Sequence, residues 1–143
     1  MKEQLTNKLH SYLVHNHLDL LISLQEDHRL TRYLEDKINS VTDLWEELQA
    51  QNRPAYVIEA LCMEELTKDL RPSRFKYMRA LLQDEFEADY RRISAGGMLS
   101  YEVIGLIGAC EPIFEVFAFG EEHEDSKALR TAIINMADEY LTR

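Results

Sequence analysis

Four of the five histidines lie within the first 28 residues and are the side chains best suited to bind a metal ion. They are His10, His15, His17 and His28, with Asp19 and Asp27 nearby. A zinc site needs three or four converging ligands, commonly including two histidines four residues apart on one helical face. No two of these histidines have that spacing. We therefore expect surface or edge histidines and no metal site.

Carboxylates form a second group that could do chemistry. The turn Glu121–Asp125 is strongly acidic, but it lacks the alternating ligands and the glycine of a calcium loop. A solvated turn before the next helix fits it better, because carboxylates favour helix N-termini. No Glu-x-x-His pair occurs, so the sequence lacks the ligand motif of the di-iron helical bundles. The other carboxylates considered for acid–base pairs are Glu64, Glu65, Glu85, Glu111 and Glu115.

Cys110 is the one candidate nucleophile in a distinctive setting, the apolar stripe of a helix. A small buried hydrophobic residue is the simpler interpretation of it. The sequence contains no nucleophile elbow, no glycine-rich phosphate loop and no dinucleotide fingerprint. We therefore predict no catalytic residue and no cofactor. The sequence does not decide whether the protein is an enzyme, but the lack of a catalytic motif disfavours enzymatic activity.

Five basic residues within twelve positions are the candidate contacts to nucleic acid: Lys68, Arg71, Arg74, Lys76 and Arg79. They straddle a break between two predicted helices, as the two halves of a helix-turn-helix do. Arg74 and Lys76 nevertheless point to different sides of a helix, and the net charge of −10 opposes binding to phosphate backbones. The sequence therefore disfavours nucleic acid as a partner and keeps it as an alternative.

The composition is that of a folded, water-soluble domain. Of the 143 residues, 45% are hydrophobic, which is enough to form a core. Only five residues are Gly and three are Pro, so few helix-breaking residues separate the elements. The excess of 26 acidic over 16 basic residues works against binding to anionic lipid. Two cysteines are too few for a disulfide framework, and the N-terminus lacks an apolar signal segment. We expect a single domain over residues 1–143, cytoplasmic and without membrane contact.

Helical spacing of apolar residues recurs along the chain, and no alternating run indicates a strand. The clearest period predicts one long helix over about 28–51, with one apolar face. Ser73 is suited to cap a later helix, and Asp125 or Ser126 to cap the last one. The glycine-containing stretch 93–97 is the only predicted hinge. We predict an all-α, single-domain bundle of five long helices and one further short helix.

The segment Met98–Phe119 is the longest apolar stretch, and we predict that it forms the central, bent helix over about 98–118. Its charges, glycines and proline fit a buried helix better than a membrane span. On a helical wheel, Glu111 and Glu115 lie beyond one edge of an apolar stripe about 120° wide. The stripe consists of Leu99, Val103, Leu106, Ile107, Cys110, Ile113, Phe114 and Phe117.

Residues outside this stripe indicate how the central helix meets its neighbours. Ile104 and Val116 are extra apolar side chains that other helices would cover. Gly105 and Gly108 would let a neighbouring helix approach closely on their side. Pro112 cannot donate to the carbonyl of Gly108 and its ring crowds that turn, so a bend is predicted there.

Two segments resemble the marker segments of a known family. RPSRFKYMRALLQDEF, over 71–86, has a serine, a basic residue and an aromatic residue at a helix start and closes with Glu-Phe. LIGACEPIFEVF, over 106–117, has Cys-Glu followed by an apolar-Phe pair. The matching residues are Ser73, Arg74, Phe75, Glu85, Phe86, Cys110, Glu111, Ile113 and Phe114. Gln83 and Lys76 depart from the family pattern.

On these segments the chain resembles an uncharacterised Bacteroidetes family, a domain of unknown function often met near conjugative and other mobile elements. The resemblance extends over nearly the whole chain in helix order and length. It implies an all-helical fold and no particular activity.

Two functions of different classes follow from the sequence. The first is a non-enzymatic interaction or regulatory module, whose partner is a protein of unknown identity or a second copy of the chain in a homodimer. The alternative is a nucleic-acid-associated protein that uses the basic residues of 68–79, or an acidic mimic of nucleic acid encoded near mobile elements. Salt-dependent retention on DNA distinguishes the nucleic-acid alternative from the first function.

Overall fold

The computed structural model describes residues 1–142, and over that range the chain is all-helical without a strand, which confirms the predicted fold class. The predicted count of five long helices and one short helix is wrong, because several long helices are divided. The elements are α1 Lys2–Asn16, α2 Leu18–Glu26, α3 Leu30–Ser40, α4 Thr42–Ala50, α5 Ala55–Thr67, a 3-10 turn Lys68–Leu70, α6 Arg74–Glu85, α7 Glu87–Ala95, α8 Leu99–Val116 and α9 Lys127–Leu141.

The predicted long helix over 28–51 is two helices, α3 and α4, which meet at Val41. The N–H of Val41 donates to the carbonyl of Ile38, three residues earlier, so the α-helical ladder is interrupted. Two neighbouring hydroxyls also donate to carbonyls of α3: Ser40 Oγ at 2.5 Å and Thr42 Oγ1 at 3.3 Å. Hydroxyls that bond to nearby backbone compete with the helical ladder, which accounts for a break at this position.

The helix predicted from Ser73 onward is also divided, into α6 and α7, at Phe86. Phe86 has φ −131° and ψ 52°, outside the helical region. Glu87 and Asp89 then lie in the first turn of α7, where carboxylates favour a helix start. The spacing of apolar residues continues across this break, so the sequence pattern predicted one continuous helix where the structure has two.

Side-chain caps are present at two helix starts. Ser73 Oγ accepts the N–H of Lys76 at 3.0 Å before α6, and Ser126 Oγ accepts the N–H of Leu129 at 3.2 Å before α9. Both caps confirm the sequence prediction, with Ser126 rather than Asp125 at the second. None of α1 to α5 begins with a side-chain cap.

The chain consists of two compact units, Met1–Arg71 and the residues from Pro72 onward, a division that the sequence analysis did not anticipate. Arg71 has extended backbone (φ −108°, ψ 141°), as expected for a residue before proline. The stretch 93–97 lies inside the second unit, and a hinge there stays a prediction. In the first unit, α1 packs against α2, α3 and α5. Three leucines of α1 are completely buried in its core: Leu5, Leu9 and Leu13.

The second unit is built on α8, which packs against α6, α7 and α9. The apolar stripe predicted for this helix forms its buried side: Val103, Leu106, Cys110 and Phe114 are completely buried. The helix runs from Leu99 to Val116 with Pro112 inside it, and the bend at Pro112 stays a prediction. No helix within the described residues has both the length and the apolar character to cross a membrane.

Candidate functional site

Among the four N-terminal histidines, His17 has a contact that links two parts of the first unit. Within residues 1–142, no three His, Cys, Asp or Glu side chains come together in a group that could hold an ion. His17 is buried, and its Nε2 lies 2.5 Å from the carbonyl oxygen of Leu70. A neutral imidazole with its proton on Nε2 can donate to that carbonyl. His17 therefore joins the α1–α2 junction to the end of the 3-10 turn.

The predicted candidate nucleophile, Cys110, is a core residue. Its side chain is completely buried in the second unit, and burial raises the pKa of its thiol to about 11. Cys62 is likewise buried in the core of the first unit, and burial raises the pKa of its thiol. The thiolate is the reactive form of cysteine, and at neutral pH a raised pKa leaves very little of it. Neither thiol is placed to act as a nucleophile.

The carboxylates that the sequence offered as acid–base candidates are all exposed: Glu64, Glu65, Glu85, Glu111 and Glu115. Glu85 Oε1 accepts from the guanidinium of Arg130 at 3.0 Å. The acidic turn Glu121–Asp125 is exposed as well, and it is closed by His123, whose Nδ1 donates to the carbonyl of Ala118 at 2.9 Å. These groups do not form the enclosed setting of an acid–base pair.

The five basic residues predicted for nucleic acid are divided between the two units. Lys68 and Arg71 belong to the first, and the other three to the second. Lys68 Nζ lies 2.5 Å from Glu65 Oε1. The guanidinium of Arg71 donates to two carbonyls near the end of α5, each at 3.4 Å. Both side chains thus have partners within their own unit.

The other three basic residues lie on α6. The guanidinium of Arg74 lies 5.0 Å from the ring centre of Phe114, and that of Arg79 lies 5.6 Å from the ring centre of Phe75. Such cation–π contacts hold both arginines along the surface of the core. Lys76 is exposed. The five basic residues therefore differ in their surroundings, and their use as contacts to nucleic acid stays a prediction.

A surface cleft of about 560 Å³ lies beside α2 and α3 in the first unit. Its lining residues are Leu24, His28, Arg29, Arg32, Tyr33 and Asp36. Both arginines are exposed and near carboxylates: Arg29 Nη2 is 3.4 Å from Asp27 Oδ2, and Arg32 Nε is 3.9 Å from Asp36 Oδ2. The local charges are balanced, so the cleft has no clear preference for an anionic or a cationic ligand.

The second unit exposes an apolar face on α8, opposite the buried stripe. Tyr101 is 68% exposed and Val116 80% exposed. At 100° per residue, these two fall in one arc of about 120° together with Ile104, Gly108 and Pro112, and the same arc contains Gly105 and Glu115. Gly108 and Pro112 are exposed, and Ile104 is half-buried. We call Tyr101, Ile104, Gly108, Pro112 and Val116 the α8 face, which extends over about 22 Å at a rise of 1.5 Å per residue.

One edge of the α8 face is formed by α9. A Cβ atom added to Gly105 would collide with the hydroxyl of Tyr140, whereas one added to Gly108 would meet nothing within 4 Å. The close approach expected at both glycines therefore occurs only at Gly105. Val116, which the sequence analysis expected another helix to cover, is uncovered. On the other side, Glu115 lies within the arc between Ile104 and Gly108, and Glu111 lies just beyond it; both carboxylates are exposed.

No protein family, curated protein or solved structure matches this chain. The resemblance to the Bacteroidetes family therefore stays a prediction, and the interpretation of the α8 face depends on its geometry. The sequence did contain one signal for this face, since Val116 lies off the apolar stripe of its helix. What the sequence could not indicate is that no other helix covers it.

Proposed function

We propose that the protein is a non-enzymatic interaction module and that the α8 face is its docking surface for a protein partner. The observation that carries the proposal is the exposure of Tyr101 and Val116, 68% and 80%, on the same side of a helix whose other side is core. Tyrosine in an exposed apolar setting is typical of binding surfaces, because it buries a large area with few rotamers to fix.

The rigidity of the helix supports a binding role. The side of α8 opposite the α8 face is anchored by side chains such as Leu106 and Phe114, which are completely buried. A partner that docks there meets a surface already fixed in its bound shape, which lowers the entropic cost of association. The buried thiols and exposed carboxylates described above give no comparable support to catalysis. A cytoplasmic location is part of the proposal, since both cysteines are free thiols.

Site-specific photo-crosslinking tests this function. A photoreactive phenylalanine analogue replaces Tyr101, and the matched control carries it at Tyr56 of α5, which is 75% exposed. In the native host, we expect the Tyr101 probe to yield a defined protein adduct that the Tyr56 probe does not yield. Equal adduct patterns from the two probes, or none from Tyr101, would contradict a docking role for the α8 face.

The nucleic-acid alternative rests on the exposed Lys76 and on the density of basic residues over 68–79. Retention of the protein on a DNA column at low salt, lost as salt rises, would support it. A Lys76→Glu variant should then be retained less strongly than a Lys127→Glu variant with the same net charge. Absence of retention at low salt removes direct DNA binding and leaves the acidic mimic of nucleic acid as the remaining form of the alternative.

A further inference from the structure

We propose that the partner presents a basic amphipathic helix to the α8 face. The proposal rests on the docking function proposed above and adds the chemical class of the partner. The α8 face is long and narrow, about 22 Å along one helix, and a second helix laid along it can match that shape. Gly108 lies near its middle, where the absence of a side chain leaves space for close approach.

The ionised side chains of α8 and of the turn that follows it are all carboxylates, and within residues 72–142 the cations lie on the neighbouring helices α6, α7 and α9. From Ile93 to Ser126 the chain contains no Lys or Arg. The same segment contains seven carboxylates: Glu102, Glu111, Glu115, Glu121, Glu122, Glu124 and Asp125. All of them except Glu102 are exposed. The C-terminal end of α8 adds the negative end of a helix dipole, and no basic side chain lies in its last turn to offset it.

Pro112 has no N–H, so the carbonyl oxygen of Gly108 receives no α-helical hydrogen bond from residue 112. The ring of Pro112 lies against the same carbonyl, so this oxygen does not decide the class of the partner. The apolar side chains of the α8 face and the carboxylates Glu111 and Glu115 do, and together they favour a partner with an apolar side flanked by cations.

A second copy of the chain fits this surface less well. Two α8 faces packed in parallel would bring Glu111 and Glu115 of one copy close to the same residues of the other, and antiparallel packing would bring Glu115 close to Glu102. Like charges across an interface oppose association, and α8 itself carries no cation to balance them. A basic partner supplies the opposite charge, which a second α8 does not.

Binding of designed peptides to the full chain tests the proposal. The probe is an amphipathic helix of about 18 residues, roughly 27 Å long, with leucine on one side and lysine on the other. One comparison peptide has glutamate in place of lysine, and another has the leucine and lysine residues scrambled. By fluorescence anisotropy we expect the leucine–lysine helix to bind, with affinity that falls as salt rises. The other two peptides should bind at least tenfold more weakly.

Variants of the protein locate the binding. Glu111→Gln combined with Glu115→Gln should lower the affinity for the leucine–lysine helix by roughly three- to tenfold, which is the effect expected from the loss of two exposed ion pairs. The control Glu46→Gln combined with Glu47→Gln changes the net charge equally on α4, where both residues are exposed, and should leave binding unchanged. A Cβ atom at Gly108 meets nothing within 4 Å, so Gly108→Leu should keep the circular dichroism spectrum of the wild type. With the fold checked in this way, a tenfold or greater loss with that variant reports blocked docking.

Several results would overturn the proposal: no binding of the leucine–lysine helix, equal binding of the scrambled or glutamate peptide, or equal loss with the α4 control. The crosslinking experiment separates this inference from the proposed function. An adduct from Tyr101 to a segment without basic residues, or to a second copy of the chain, would leave the docking function and refute the basic helix. Absence of any Tyr101 adduct would refute the docking function itself.

Discussion

The two glycines of α8 lie three residues apart on one helix but in different surroundings, which makes them a matched pair for mutation. A Cβ atom at Gly105 would collide with the hydroxyl oxygen of Tyr140 and would lie 3.2 Å from Cζ of the same ring. A Cβ atom at Gly108 would meet nothing within 4 Å. Alanine at the first position must therefore displace the end of a side chain from α9, and alanine at the second displaces nothing.

The expected free energies of unfolding follow from two contributions. Replacing glycine by alanine inside a helix gains about 0.8–1 kcal/mol of helix propensity at either position. At Gly105 this gain is opposed by the displacement of the end of the Tyr140 side chain, which costs about 1 kcal/mol, the lower end of the overpacking range, because that side chain is only half-buried. We expect Gly108→Ala to stabilise the protein by about 1 kcal/mol. Gly105→Ala should fall about 1 kcal/mol below it.

Urea denaturation followed by far-UV circular dichroism measures both variants, with equal m-values as the check that the same unfolding is compared. A double-mutant cycle with Tyr140→Phe then isolates the contact. Removing the hydroxyl should make Gly105→Ala less destabilising, with a coupling on the order of 1 kcal/mol. Equal stability of Gly105→Ala and Gly108→Ala would refute the close contact between α8 and α9, as would a cycle without coupling.

Three further results follow from caps and buried thiols. Ser126→Ala removes the acceptor for the N–H of Leu129 and should lower the free energy of unfolding by about 0.5–2 kcal/mol. The control Ser94→Ala, at an exposed position of α7, should cause no loss. Equal effects of the two variants would contradict the cap. Cys62 and Cys110 should resist iodoacetamide in the native protein and react in urea, and rapid native alkylation would contradict their burial. Finally, the Cys110 thiol has a pKa of about 11 when folded against an ordinary 9.0, so the folded state keeps a proton that the unfolded chain releases. Stability should fall as pH rises through about 9 to 11, less steeply in Cys110→Ala, and equal slopes in the two proteins would contradict this.

The all-helical class and the buried side of α8 were accessible from the sequence because both depend on a repeat of apolar residues along a single helix. Leu106, Cys110 and Phe114 fall on one stripe of a helical wheel, and all three are completely buried. The breaks at Val41 and Phe86 were not accessible in this way. An apolar period can continue through a break, so it does not report which backbone carbonyls lose their helical partners.

The α8 face was only partly accessible from the sequence. The wheel places Val116 away from the core stripe, but whether another element covers such a residue depends on tertiary packing. The two glycines illustrate the same limit, since Gly105 is covered by Tyr140 and Gly108 is open. The basic residues over 68–79 show the same limit, since Lys68 and Arg74 are close in sequence yet belong to different units.

The distribution of helix caps determines the order in which the first turns of the helices open to solvent. The first turns of α6 and α9 are held by serine hydroxyls within the same stretch of chain, whereas α1 to α5 begin without a side-chain acceptor. The N–H groups of an uncapped first turn bond to water, and they exchange hydrogen with solvent as soon as the turn frays. Amide exchange should therefore begin at the starts of α1 to α5 before it reaches the capped turns at Ser73 and Ser126. Helix starts in the first unit are thus maintained by packing, while α6 and α9 carry local signals that hold their starts even when the surrounding packing loosens.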